Sequence, residues 1–165
     1  MNFKRDITVA FTGHRTYRGE ANESLGEVIE RLYARGFRSF LSGMAVGFDL
    51  AAAEAVLRCR EHLPDLALVA VVPFAEQEHR FSPADKARFQ HIVAEADEVI
   101  TLAEEYHRGC YAQRNNFLVD NASLVVAWYG QQQGGTRYTV RRALRRGCEV
   151  WNLHPSASVR ITSLF

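Results

Sequence analysis

Apolar positions along this chain alternate between two rhythms. Residues 7–11 form a short β-rich run, Leu25, Val28, Ile29 and Leu32 then recur at the spacing of one helix face within 25–34, and 37–41 returns to a strand-like run. The same exchange continues to the end: helix over 50–59, a continuous apolar strand over 66–72, helix over 86–94, strand over 99–102, helix over 111–119, strand over 124–129, helix over 138–146 and a last strand over 149–153. Strands that are apolar throughout and separated by helices predict an α/β fold: a Rossmann-like three-layer sandwich whose central sheet is mostly parallel and covered on both faces.

Such sheets bind ligands outside the carboxyl ends of their strands, where strand order reverses. The loops expected there are 12–18, 42–49, 73–83, 103–114 and 130–137, and they hold most of the glycines and several histidines. Two of them have the form of phosphate sites. Ser42-Gly43-Met44-Ala45-Val46-Gly47-Phe48-Asp49 runs from a strand into an Ala-rich helix, and Gly134-Gly135-Thr136 lies between the strand at 124–128 and the next helix. Glycine permits a tight turn and close backbone approach, and the first free N–H groups of a helix carry partial positive charge. Both loops together predict a nucleotide-type pocket.

Length and composition narrow the class further. A chain of 165 residues, 47% hydrophobic and 24% charged, fits one domain burying roughly 70% of its unfolded surface without a staple. The formal charge of +1 gives no general affinity for nucleic acid. Cys59, Cys110 and Cys148 are odd in number and form no Cys-x-x-Cys, as suits reduced thiols. Residues 1–6 are short and charged, no signal-peptide core precedes the first strand, and no apolar run has membrane length, so a cytoplasmic protein without a membrane partner is expected.

Thr12-Gly13-His14-Arg15 follows the first strand, where Gly13 turns the chain and Arg15 can fork onto a phosphate or carboxylate. The loop 42–49 has neither the dinucleotide fingerprint nor a Walker lysine, and Asp49 reads both as the N-cap of the following helix and as a ligand contact. Arg114-Asn115-Asn116 offers an arginine that either holds a phosphate or is solvated. Arg141, Arg142, Arg145 and Arg146 read as a solvated face near a helix C-terminus, with a nucleic-acid backbone patch as the alternative. The six histidines form no metal-binding spacing, and Gln131-Gln132-Gln133 reads as a short polar loop. Glu76, Glu78 and His79 are the acid or base candidates on the loop 73–83.

In order along the chain, Thr12-Gly13-His14-Arg15, the loop Ser42 to Asp49, Pro73-Phe74 with Gln77, Tyr111 with Arg114-Asn115, and Gly134-Gly135-Thr136 resemble the SLOG superfamily of Rossmann-like proteins, and within it the YpsA-like family. The resemblance covers nearly the whole chain and implies a pocket for a nucleotide or nucleotide derivative, and a homo-oligomer. On these motifs the ligand-binding residues are Gly13, His14, Arg15, Ser42, Gly43, Met44, Gly47, Asp49, Arg114, Asn115, Gly134, Gly135 and Thr136. No cofactor is implied with certainty and no metal is expected.

Two related families point to different functions. The Ser-Gly-x-Ala-x-Gly-x-Asp pattern looks like that of DprA proteins, which bind single-stranded DNA. Arg114 with Gly135-Thr136 looks like the LOG phosphoribohydrolases, which cleave nucleoside monophosphates at the N-glycosidic bond. Where the LOG pattern has a catalytic Glu, this chain has Thr139, and a hydroxyl cannot replace a carboxylate in stabilising an oxocarbenium-like ribose. The reading is therefore a sensor or regulatory module for a phosphorylated, ADP-ribose-like nucleotide. The alternatives are an N-glycoside hydrolase using Glu76, Glu78 or Asp49, and a single-strand DNA binder.

Overall fold

The computed structural model describes residues 4–156, so half of the lead-in read at 1–6 and the chain beyond 156 lie outside the described residues. Six strands and five α-helices alternate: β1 (Thr8–Gly13), α1 (Asn22–Ala34), β2 (Ser39–Ser42), α2 (Phe48–Arg60), β3 (Ala67–Val72), α3 (Pro83–Glu95), β4 (Glu98–Thr101), α4 (Cys110–Asp120), β5 (Leu124–Trp128), α5 (Gly135–Arg145) and β6 (Glu149–Asn152). The strands form one sheet in the order β4-β3-β2-β1-β5-β6, and every pairing is parallel. The α/β fold is as expected, with a sheet that is wholly rather than mostly parallel.

Side chains of period two divide the core between the two faces of the sheet. Val9, Phe11, Phe40, Leu68, Val126 and Trp128 join a layer with Leu25, Ile29 and Leu32 of α1, Leu50 and Val56 of α2, and Phe89 and Ile92 of α3. On the other face Ala10, Leu41, Val69, Val125 and Val150 pack with Leu118 and Val119 of α4 and Val140 and Ala143 of α5. Both faces being covered explains why β3 and β5 are apolar at every position.

Helix α3 begins earlier than the apolar period alone predicts. Ser82 accepts a hydrogen bond from the Asp85 amide at 3.2 Å, and Pro83 stands at the first helical position, where its missing N–H costs nothing. Among the described residues no helix is long and apolar enough to cross a membrane.

The chain leaves β1 toward β2 on one side and reaches β5 on the other, so strand order reverses between β1 and β5. In register, Thr12 faces Ala127 and Gly13 faces Trp128. The loops after these two strands diverge to opposite sides of the sheet and leave a crevice at their carboxyl ends.

Candidate functional site

A cleft of about 440 Å³ opens at that crevice. Four segments supply its walls: Thr12 to Thr16 at the end of β1 and just beyond it, Ala45 and Asp49 before and within the first turn of α2, Tyr111, Arg114 and Asn115 on α4, and Gln132 to Thr136 leading into α5. Its size is in the range of small-molecule sites.

The loop after β1 is held by close packing. A Cβ on Gly13 would lie 2.4 Å from Cβ and Cγ of Phe48, which is fully buried. Gly47 has φ +89°, and a Cβ there would lie 2.6 Å from the His14 carbonyl oxygen. Only glycine fits either place without displacing backbone or core. The Phe48 amide donates to the His14 carbonyl at 3.3 Å, tying the first loop to the second.

His14 is buried, and its Nε2 accepts from the Gly130 amide at 3.0 Å, so the proton of the neutral ring sits on Nδ1. Burial, with a smaller contribution from nearby His154, pushes its pKa below the ordinary histidine value.

The second loop is stabilised from within. The Ser42 hydroxyl donates to the Asp49 carbonyl at 2.9 Å and accepts from the Met44 amide at 3.2 Å. Met44 takes a left-handed φ of 62° with its side chain in the core. Its carbonyl accepts from Nε2 of buried Gln77 at 3.1 Å. Ser42, Gly43, Met44 and Gly47 therefore shape the cleft without lining it.

Asp49 is not the N-cap of α2. Gly47 occupies that position, because its positive φ makes the turn into the helix, and Asp49 lies in the first turn with Oδ2 accepting from the Ala45 amide at 3.3 Å. Its Oδ1 is buried without a partner. Burial raises the Asp49 pKa to about 6, against the opposing pull of Arg114, the Ala45 amide and Arg15.

Arg114, on α4, is itself buried. Its Nη1 donates to the Gly43 carbonyl and its Nε donates to Asn115 Oδ1 at 2.8 Å. A Cβ on Gly43 would come within 2.8 Å of Arg114 Cδ, so this glycine makes room for the guanidinium to lie along the loop. Its face is turned toward Tyr111, with the guanidinium carbon 5.8 Å from the ring centroid. Burial lowers the arginine pKa, and the Asp49 charge works against that shift; no ion pair joins the two among the described residues. The cleft thus holds both a buried cation and a buried, half-unpartnered acid.

Gly134, Gly135 and Thr136 bring the N-terminus of α5 to the same cleft. Gly134 precedes the helix at φ 127°, and a Cβ on Gly135 would only touch Asn115 Nδ2 at 3.4 Å. Thr139, one turn on, is buried and donates its hydroxyl to the Gly135 carbonyl at 2.8 Å. It does not line the cleft.

Of the candidate residues, Gly13, His14, Arg15, Asp49, Arg114, Asn115, Gly134, Gly135 and Thr136 line one cleft. Glu76 and Glu78 do not. They sit on the short helical turn Gln77–Arg80 and its approach, with the Glu76 carboxylate largely exposed and 3.9 Å from His79. Thr12, Thr16, Tyr111, Gln132 and Gln133 are additional lining residues. Gln132 and Gln133 belong to what reads in sequence as a mere polar loop; their position between β5 and the second glycine turn was the available signal. In the arginine cluster of α5, Arg142 pairs with Asp120 at 2.9 Å and Arg146 lies 3.5 Å from the same carboxylate.

Comparison with known proteins adds the lineage. The SPbeta prophage-derived protein YoqJ of Bacillus subtilis (strain 168) is 28% identical over 148 residues, covering 81% of this chain and 86% of that protein. A UPF0398 protein of Bacillus cereus is 28% identical over 112 residues, covering 66% of this chain and 60% of the other. Among solved structures, DNA processing protein A (DprA) of Streptococcus pneumoniae superposes with a TM-score of 0.66 at 22% identity over 91% of this chain. DprA of Helicobacter pylori, whose structure concerns single-stranded DNA binding, gives 0.64 at 18% identity over 87%. This chain spans 51% and 63% of those two proteins, and at such identity the likeness is one of fold. The YpsA family model, that of the YspA SLOG family, matches residues 9–153, from β1 to just beyond β6 and through both glycine turns, and this chain belongs to that family.

Proposed function

We propose that this domain binds a phosphorylated nucleotide or an ADP-ribose-like derivative in the cleft between β1 and β5, and acts as a sensor or regulatory module. The observation that carries this reading is the buried Arg114 guanidinium in a cleft that also receives the free N-terminus of α5. A guanidinium already stripped of water and fixed by two hydrogen bonds loses little further freedom when it meets a phosphate. The helix N-terminus supplies unpaired amides to the same anion.

The carboxylate inventory supports binding without turnover. Asp49 is the one carboxylate lining the cleft among the described residues. Glycoside hydrolysis ordinarily uses two acidic groups across the scissile bond. The test is calorimetric titration with AMP, ADP, NAD and ADP-ribose, followed by chromatography of the recovered ligand. Saturable binding of a nucleotide that returns intact supports the reading; a folded protein that binds none of them overturns it.

One observation favours a second, enzymatic reading. Asp49 carries a pKa raised to about 6 and an unpartnered oxygen, the condition of a carboxyl group able to hold a proton near neutral pH. Release of free base that Asp49→Asn abolishes, in a variant that still binds the nucleotide, would make this the activity. No release across the nucleotide panel removes it.

A further inference from the structure

A second cleft of about 480 Å³ lies on the outer side of the loop after β1, between α1, α2 and α3. Arg15 lines both clefts, so the second begins where the first ends. Gly47 fixes that boundary, since a Cβ there would lie 2.8 Å from Arg15 Cα.

The charges of this second cleft do not cancel. Arg15, Arg18, Arg58 and Arg88 line it together with Glu54 and Asp85. Arg88 occupies both acids: its Nη2 and Nε meet Glu54 at 2.6 and 3.0 Å, and its Nη1 meets Asp85 at 3.1 Å. Arg15, Arg18 and Arg58 form no ion pair with a described residue, and all three are exposed. Glu20 lies beside Arg18 and Asp49 acts on Arg15, but neither lines this cleft, and its two lining carboxylates are engaged by Arg88. Three guanidiniums around one concave surface then repel one another and attract an anion.

We propose that this cleft is a second phosphate site, and that the ligand class is a nucleotide with two phosphate groups separated by a ribose, one phosphate held by Arg114 and the α5 N-terminus and the other by Arg18 and Arg58, with Arg15 between them. The inference rests on the reading of the first cleft as a nucleotide site and specifies its ligand. Nucleoside bisphosphates and 5′-phosphorylated dinucleotides share this chemistry. A nucleoside monophosphate fills the first cleft and leaves the second open.

The experiment is calorimetric titration of the full chain at fixed ionic strength with AMP, adenosine 3′,5′-bisphosphate and the dinucleotide pApA. The expected result is that at least one two-phosphate ligand binds about tenfold or more tightly than AMP, as an added charge-assisted contact implies. In Arg18→Ala/Arg58→Ala that ratio collapses toward one, whereas Arg18→Lys/Arg58→Lys keeps much of it. Which of the two ligands gains more identifies the source. Equal affinity of all three ligands for the wild-type protein overturns the second site alone, and so does a ratio that survives the double alanine variant. Absence of binding by all three overturns the first cleft as well.

Discussion

Asp49 is where burial and chemistry conflict most openly. Its carboxyl titrates at about 6 in the folded chain against 3.8 ordinarily, so the folded state holds the proton more tightly than the unfolded state. Stability therefore falls as pH rises from about 4 to about 6, and above that the deficit stays constant at about 3 kcal/mol. Asp49→Asn removes the ionisation. Its stability relative to wild type is expected to rise by about that amount between pH 4 and pH 7.5, read as the difference in urea midpoints at the two values. A difference that does not move with pH would mean that the carboxylate is solvated. His14 runs the other way: its pKa is lowered, so its contribution is present above pH 6.5 and is lost as pH falls below, when the proton on Nε2 ends acceptance from Gly130. Arg114→Lys keeps the charge but loses the fork that bonds Gly43 and Asn115. Phosphate affinity is expected to drop about tenfold or more with the fold retained, measured by titration beside a circular dichroism melt.

The helices set what each glycine must do. Gly13 packs on the first residue of α2, and Gly13→Ala drives a methyl into Phe48. The cost is expected to be roughly 1–3 kcal/mol, seen as a lowered denaturant midpoint with unchanged slope. Gly135 is the opposite case, with room for a side chain at the first turn of α5. A carboxylate introduced there suits the helix dipole, worth about 0.3–1 kcal/mol, yet competes with a bound phosphate. Gly135→Asp thus separates binding from folding. Much of this helical and strand order is legible in sequence, because apolar runs and one-sided stripes alternate cleanly along the chain. The start of α3 was harder to see: Ser82-Pro83 is a valid helix opening, but it ends a long loop whose glycine-free, charged composition hides it. The two glycine turns were visible as turns. That Gly43 exists to seat Arg114 was not, since the two are 71 residues apart and meet only when α4 docks.

Strand order determines which loops meet, and no local pattern carries it. The order β4-β3-β2-β1-β5-β6 places the loops after β1 and β5 around one crevice, while the loop after β3 contributes through Gln77 bracing Met44 from behind. This explains why Glu76 and Glu78, plausible acids by sequence, stand outside the cleft, and why Gln132 and Gln133 stand inside. The family assignment agrees with the motif order read from the chain, and the DprA structures share its fold. The decisive measurement is calorimetric titration of AMP and ADP-ribose into wild type and Gly135→Asp, with melting temperatures recorded for both. Saturable binding by wild type is expected, weakened about tenfold or more in a variant that melts no lower. Equal affinity in two equally folded proteins, or no binding by either, would contradict a nucleotide phosphate seated at the α5 N-terminus.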